Sequence, residues 1–521
     1  MRHTGFLIPV PLAGCLLLVA AHAAEIHSNG AGGGNWSDPA TWVGSRIPNP
    51  SDPVVIAMRD KVTFDLPGLD TPSCATLQID PEGVLTYRRL PGRLSLIVTG
   101  SIRSYGTIKL EATTPDAGIL ELRLDPPTGT VAEIILYEQA GLLAYGRETT
   151  GSNVPNILLT APDPAEGNPA QQSVVRAEGR VQIDIQNAYS RGLAWMISGV
   201  DNTGNDPLQR LNFINTRFEG WSRLVLRKCD TTTIRRNTFR SLQDKPGFDA
   251  IYLIACSLTQ LRDNTIIGPY LNGIRAESDT DGAAEGNEIL ACTQGINWSG
   301  KQAMLKRNQV RQCDTGILMV DASGVLEACK VESCSTAGYR LVNLSLQMTD
   351  CGLGAMPTSA VPAKLENASV TMLNCGIADD QVNCSGKPRL PDFVETMMYV
   401  VVKLSGKIPP EAEVHMQTAP VSGGVPAGKA DLNVRNSPVR TNADGWTPLP
   451  ASMRALTVRS WRIGSDGKVA RPPFYDLMVR EVTTDPAKPG RILKQELAEP
   501  RDQWFRPTPN TREATVEITL P

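Results

Sequence analysis

Apolar residues in this chain fall into short alternating runs. "KVTFD" (61–65), "GVLTY" (83–87), "AIYLI" (250–254) and "LTQLRDNTI" (258–266) keep returning to a hydrophobic side chain every second residue, and Gly, Pro, Asn or Asp separates one run from the next. Alternation over three to five residues predicts strands that bury one face, and is too short for helices. The runs also repeat. "RRNTF", "RDNTI", "EGNEI" and "KRNQV" align Asn237, Asn264, Asn287 and Asn308 at spacings of 27, 23 and 21 residues. Gly273, Gly295, Gly316 and Gly338 follow at 22, 21 and 22, and Cys292, Cys313 and Cys334 at 21.

A repeat of this length is one supersecondary unit stacked on its neighbours. Three short strands and three turns per repeat make one coil of a right-handed parallel β-helix. The recurring Asn predicts a tight bend in left-handed backbone, with its amide bonding neighbouring turns. The recurring Gly predicts another corner with positive φ. Ile251, Ile274, Ile296 and Ile317 then point inward and stack at the ~4.8 Å strand spacing. Alternation turns Tyr252, Arg275, Asn297, Leu318 and Arg340 outward, one per coil. A leucine-rich repeat has a similar period, but its regularly spaced leucines are missing. The stepped cysteines predict a buried thiol ladder, and Cys375 with Cys384 is the disulfide candidate.

On these residues the chain resembles the parallel β-helix repeat family, the pectin-lyase-like superfold, across residues 176–385. Upstream, "GGGNWSDPATWVGSRIPNPSDPVVIAMRDKVTFD" sets Trp36 and Trp42 around a polar turn, then a Pro-rich loop and alternating strands. It resembles the G-eight domain of cell-surface hyaluronidases and fibrocystin-like proteins, over residues 30–135. That resemblance implies an all-β domain placed before β-helix coils, with a tie to glycans. Residues 145–173 are polar and rich in Pro and Gly, and predict a long loop. After residue 390 the repeat stops. "VETMMYVVVKLSG", "ALTVRSWRI" and "YDLMVREV", with an Asp444-Gly445 hairpin signal, predict a β-sandwich similar to immunoglobulin-like or carboxypeptidase-regulatory modules. The expected fold is all-β: a signal peptide (1–24), a G-eight-like domain (25–135), a right-handed parallel β-helix (136–390) and a β-sandwich (391–521).

Composition agrees with a turn-rich β protein: 45 Gly, 39 Pro and only 5% aromatic residues among 521. A net charge of −3 offers no basic field for nucleic acid. "GFLIPVPLAGCLLLVA" ahead of "AHAA" (21–24) reads as a secretory leader, and its apolar run continues past Cys15, against lipoprotein processing. No later run is long and apolar enough to span a membrane. The expectation is an exported protein, secreted or periplasmic.

Histidine narrows the chemistry. Of four, His3 and His22 lie in the leader, and His27 and His415 lie outside the coils, so the coils hold no His-dependent triad or His-rich metal site. Carboxylates, Arg, Lys or Tyr must act instead. The superfold resemblance implies that substrates lie along the strands beginning at the Gly corner. There Asp249, Arg275 and Glu277 are the candidate catalytic residues. Tyr252, Tyr270, Asn297 and Arg340 are candidate substrate contacts, and Asp244 and Lys245 stand in a loop entering the face. Lyases of the superfold imply Arg275 as base, with Ca²⁺ or another cation neutralising a uronate. Hydrolysis needs two carboxylates, Asp249 and Glu277. The N-T-D, G-H-G and R-I-K signatures of polygalacturonases and the W-x-D-H of pectate lyases are absent. In "SDTDGAAEGNE", Asp279, Asp281 and Glu285 are candidate Ca²⁺ ligands, set against a polar turn. The expected partner is an acidic extracellular polysaccharide, bound and open to cleavage by a lyase or hydrolase route. The alternative is a non-catalytic surface, adhesion or scaffold protein.

Overall fold

A computed structural model of the chain describes residues 24–67, 71–148, 155–164, 168–199, 210–409, 412–418, 433–449, 454–471, 475–483, 490–498 and 513–521. The expected signal peptide, apart from Ala24, lies outside them. One coil shows the plan: strands Asn272–Glu277, Asp281–Glu285 and Glu288–Leu290, then Gln294–Trp298 directly beneath the first. Repetition builds three parallel sheets. The first has 15 strands, from Ile26–His27 to Val382–Ser385; the third has 11. Pairing register holds one inward column along the axis. It runs through Val54, Leu77, Ile102, Ile134, Val175, Trp195 and Leu224 to Ile251, Ile274, Ile296 and Ile317, all buried.

The corners differ from expectation in an instructive way. Asn237, Asn264, Asn287 and Asn308 are buried, but the left-handed residue is the one before each: Arg236, Asp263, Gly286 and Arg307, with φ of 55°, 53°, 67° and 52°. The left-handed residue turns the chain, and the next side chain then points into the helix. Asn meets the cost of burial there by joining a ladder. The Nδ2 groups of Asn237, Asn264 and Asn287 donate to the Oδ1 of the next Asn at 3.1, 2.9 and 2.9 Å. Cys329, after Ala328 at φ 52°, continues the column with its thiol on the Leu305 carbonyl at 3.3 Å.

The recurring glycines are also explained by space, not by φ. Gly273, Gly295, Gly316 and Gly338 are not left-handed. A β-carbon on Gly273 would lie 2.6 Å from Ile289 Cγ2 and 2.7 Å from the Gly295 carbonyl oxygen, inside the helix. The expected thiol ladder is present, with Cys292, Cys313 and Cys334 buried at one corner of successive coils. The expected Cys375–Cys384 disulfide is not formed, and both thiols are free. Cys375 follows left-handed Asn374 inside a corner, while Cys384 lies on the last strand of the first sheet.

The expected boundary at 135/136 falls inside the strand Glu133–Leu136, which pairs on both sides within the first sheet. Residues 26–136 therefore supply coils of the same ladder. Trp36 and Trp42 are both buried, packed edge to face at 5.0 Å with Phe64 beside Trp36, over the interior of the first coils. Within the expected loop 145–173, Ile157–Thr160 is a strand of the third sheet, because "ILLT" is short but alternates in burial.

At the other end, strand Asp392–Gly406 first pairs parallel with Ser369–Leu373 of the last coil and then leaves the helix. It pairs antiparallel with Thr457–Gly464 and parallel with Glu513–Leu520. A separate sheet holds Ala412–Thr418, Val439–Arg440, Tyr475–Glu481 and Ile492–Ala498. Val400, Val402, Val414, Leu477 and Val516 from the two sheets share one core. Phe393, Val394, Trp461 and Ile463 belong instead to the core of the helix and close its end. Among the described residues no helix is long and apolar enough to cross a membrane.

Candidate functional site

The outward face of the first sheet assembles most of the expected residues. Register sets Tyr252 opposite Arg275, and Arg275 opposite Asn297, because each is the residue after an inward isoleucine. Glu277 lies two residues further along, and Asp249 just ahead of the strand Ile251–Ile254. Arg275 is the hub. Its guanidinium bonds Glu277 Oε2 at 2.8 and 3.1 Å, reaches Asp249 Oδ2 at 3.5 Å, and lies 4.5 Å from the centre of the Tyr252 ring. The Tyr252 hydroxyl donates to Glu277 Oε1, and Asn272 Nδ2 donates to Asp249 Oδ1 at 2.6 Å.

These contacts set the charges. Partial burial works against the Arg275 cation, yet its hydrogen bond to Glu277 and the charges of Tyr252, Glu277 and Asp249 together raise its pKa. Burial, followed by the hydrogen bond to Glu277, pushes the Tyr252 phenol up to about 12. A proton-abstracting arginine must be neutral, and this one is held charged between two carboxylates. The arrangement suits Arg275 to binding and to orienting carboxylates, not to the role of base. For hydrolysis, a cation occupies the space between Asp249 and Glu277 where water or sugar would have to stand.

Other expected residues are placed elsewhere. Tyr270 is fully buried and packs edge to face on Phe248 at 5.5 Å, so it cannot contact a substrate. Arg340 shares the outward column, but buried Leu318 separates it from Asn297, and Glu366 engages it at 3.2 Å. Asp244 and Lys245 are exposed. The residues offered as a Ca²⁺ set do not converge. Asp281 accepts the Leu258 N–H, while Glu285, at the far end of the same strand, pairs with Arg307 at 2.6 Å and Arg262 at 3.6 Å. Among the described residues no group of three His, Cys, Asp or Glu side chains fits a metal ion.

Sequence reasoning missed three contributors: Asn272, Gln294 and Arg223. Asn272 and Gln294 stand opposite each other, two residues before an inward isoleucine, and each keeps a buried oxygen without a partner. Period-two counting from the isoleucines would have turned both inward, so the sequence hid them. It also missed Tyr105 and Tyr137, stacked at 4.3 Å further along the chain's early coils.

The family model for the right handed beta helix region matches residues 198–349 and again 249–383. With the parallel ladder described above, this defines the class: a protein built of right-handed β-helix repeats. No curated protein matches the chain.

Proposed function

We propose that this protein is exported and binds an acidic extracellular polysaccharide along the outward face of the first sheet, as a binding surface. The observation that carries this is the Tyr252–Arg275 pair: a ring and a guanidinium side by side on an outward strand face, with Glu277, Asp249 and Asn297 around them. Such a surface offers stacking and multiple hydrogen-bond donors and acceptors to sugar rings. The β-helix class is consistent with polysaccharide-related proteins. The leader-like residues at the start of the sequence support export. Hydrolysis by Asp249 and Glu277 is disfavoured, because the Arg275 guanidinium stands between the two carboxylates. Ca²⁺-assisted elimination is not part of the proposal, since the acidic side chains do not gather and Arg275 is held charged.

The test is to incubate the full chain with pectate, alginate, hyaluronan, chondroitin and neutral glycans, measuring retention, reducing ends and unsaturated-uronate absorbance together. Retention by an acidic polymer with no new ends supports the binding surface. Reducing ends that vanish in Glu277→Gln turn the reading to hydrolysis. Unsaturated products, or no retention by any polymer, overturn the proposal.

A further inference from the structure

Arg223 differs from every other cation of the face. Arg176, Arg275, Arg340 and Lys364 each have a carboxylate within an ion-pair distance, at 2.8, 2.8, 3.2 and 2.8 Å. Arg103 and Arg227 are exposed and solvated. Arg223, by contrast, is partly buried at the start of the strand Arg223–Arg227, one coil before Tyr252. Its guanidinium carbon lies 5.2 Å from the centre of the Phe248 ring, its Nε is buried with no partner, and it makes no ion pair among the described residues. Asp249 is near enough to be felt as a charge, but its oxygens are engaged by Asn272 and Arg275. Burial pushes the Arg223 pKa down, with only that charge opposing.

An arginine held in place by an aromatic ring, stripped of part of its water and lacking a counter-ion, is prepared for an anion from outside. Its planar fork matches a carboxylate or sulfate oxyanion in two hydrogen bonds. We propose that Arg223 is the anchor for the anionic group of a bound sugar, carboxylate or sulfate, set one coil before the ring of Tyr252. This rests on the polysaccharide-binding reading of the face and deepens it: Arg223, not the already neutralised Arg275, selects acidic over neutral polymers. Asn272 and Gln294 lie two and three coils further along the same sheet, each with a buried oxygen that has no partner among the described residues.

The experiment is affinity electrophoresis of the full chain in gels holding polygalacturonate, a sulfated galactan or neutral galactan, with Arg223→Gln beside wild type. The expected result is at least a tenfold loss of affinity in Arg223→Gln for whichever acidic polymer wild type retains, with neutral galactan unaffected. The two acidic gels separate carboxylate from sulfate as the group bound. As a measurement independent of any variant, an arginine-specific dicarbonyl reagent is applied to wild type with and without polymer, and the Arg223 peptide is followed by mass spectrometry. Protection of Arg223 by the acidic polymer supports the anchor even if Arg223→Gln fails to fold. Wild-type retention with an affinity within twofold in a folded Arg223→Gln, or labelling unchanged by polymer, overturns the anchor and leaves the binding surface standing. Retention by neutral galactan alone does the same. No retention by any polymer takes down both readings.

Discussion

Asn264 shows what a single buried amide does in this molecule. Its Nδ2 donates to the Ile234 carbonyl and to Asn287, both at 2.9 Å, and its Oδ1 accepts from the backbone and the side chain of Asn237. Removing it leaves buried donors and acceptors unpaired on two coils. Asn264→Ala is expected to lower the unfolding free energy by about 2–4 kcal/mol, read from urea denaturation. Cys329→Asn prolongs the same column and is expected to stay within about 1 kcal/mol of wild type. Tyr252 makes a pH prediction at the same scale. Its phenol is pushed up to about 12 in the fold, so the folded state keeps a proton the unfolded chain gives up near pH 10. That contribution is fully present below about pH 10 and is lost as pH rises through about 12. Subtracting the 295 nm titration of Tyr252→Phe from wild type is expected to give a midpoint near 12 when folded and near 10 in urea. The importance of these Asn residues was legible from their spacing. That the residue before each takes the bend was not, because a left-handed Arg or Asp carries no mark in composition.

Elements are set by the contact between successive corners. The strand pairs Asn272 with Gln294 and Ile274 with Ile296, which sets Gly273 against Gly295, and the missing β-carbon there makes room for Ile289. Gly273→Ala is therefore expected to cost about 1–3 kcal/mol by overpacking. Gly247→Ala, with nothing within 4 Å of the added carbon, is the control and is expected to leave the urea midpoint unchanged. The period of the glycines could be read directly. Their cause could not, since φ and crowding both select glycine and only the neighbouring coil tells them apart.

For the whole molecule, a stack of parallel coils has two open ends, and each must be covered. Trp36 and Trp42 lie over one end. At the other, Trp461 and Ile463 from the C-terminal module enter the core of the helix, and Asp379 of the last coil pairs with Arg471. The module is thus a cap as well as an appendage. Trp461→Ala is expected to cost about 3–5 kcal/mol, although Trp461 lies 76 residues past Ser385, where the last strand of the first sheet ends. Light scattering on heating is expected to show earlier aggregation in this variant, because the last coil's edge is uncovered.

Period-two alternation, the Asn, Gly and Cys spacings and the outward parity of Tyr252, Arg275 and Asn297 are local properties, and the sequence by itself determined them. They sufficed for the coil, its inward isoleucines and one candidate face. The tertiary structure decided what depends on residues distant in the chain. It extended the coils back through residues 26–136, whose spacing is irregular although their pairing is not. It buried Tyr270 and left Cys375 and Cys384 apart. It tied Arg275 to two carboxylates and left Arg223 with none among the described residues. Each of these turns on which side chain of the neighbouring coil arrives within a few ångströms, and coil lengths that vary from repeat to repeat hide that from any reading of one strand at a time.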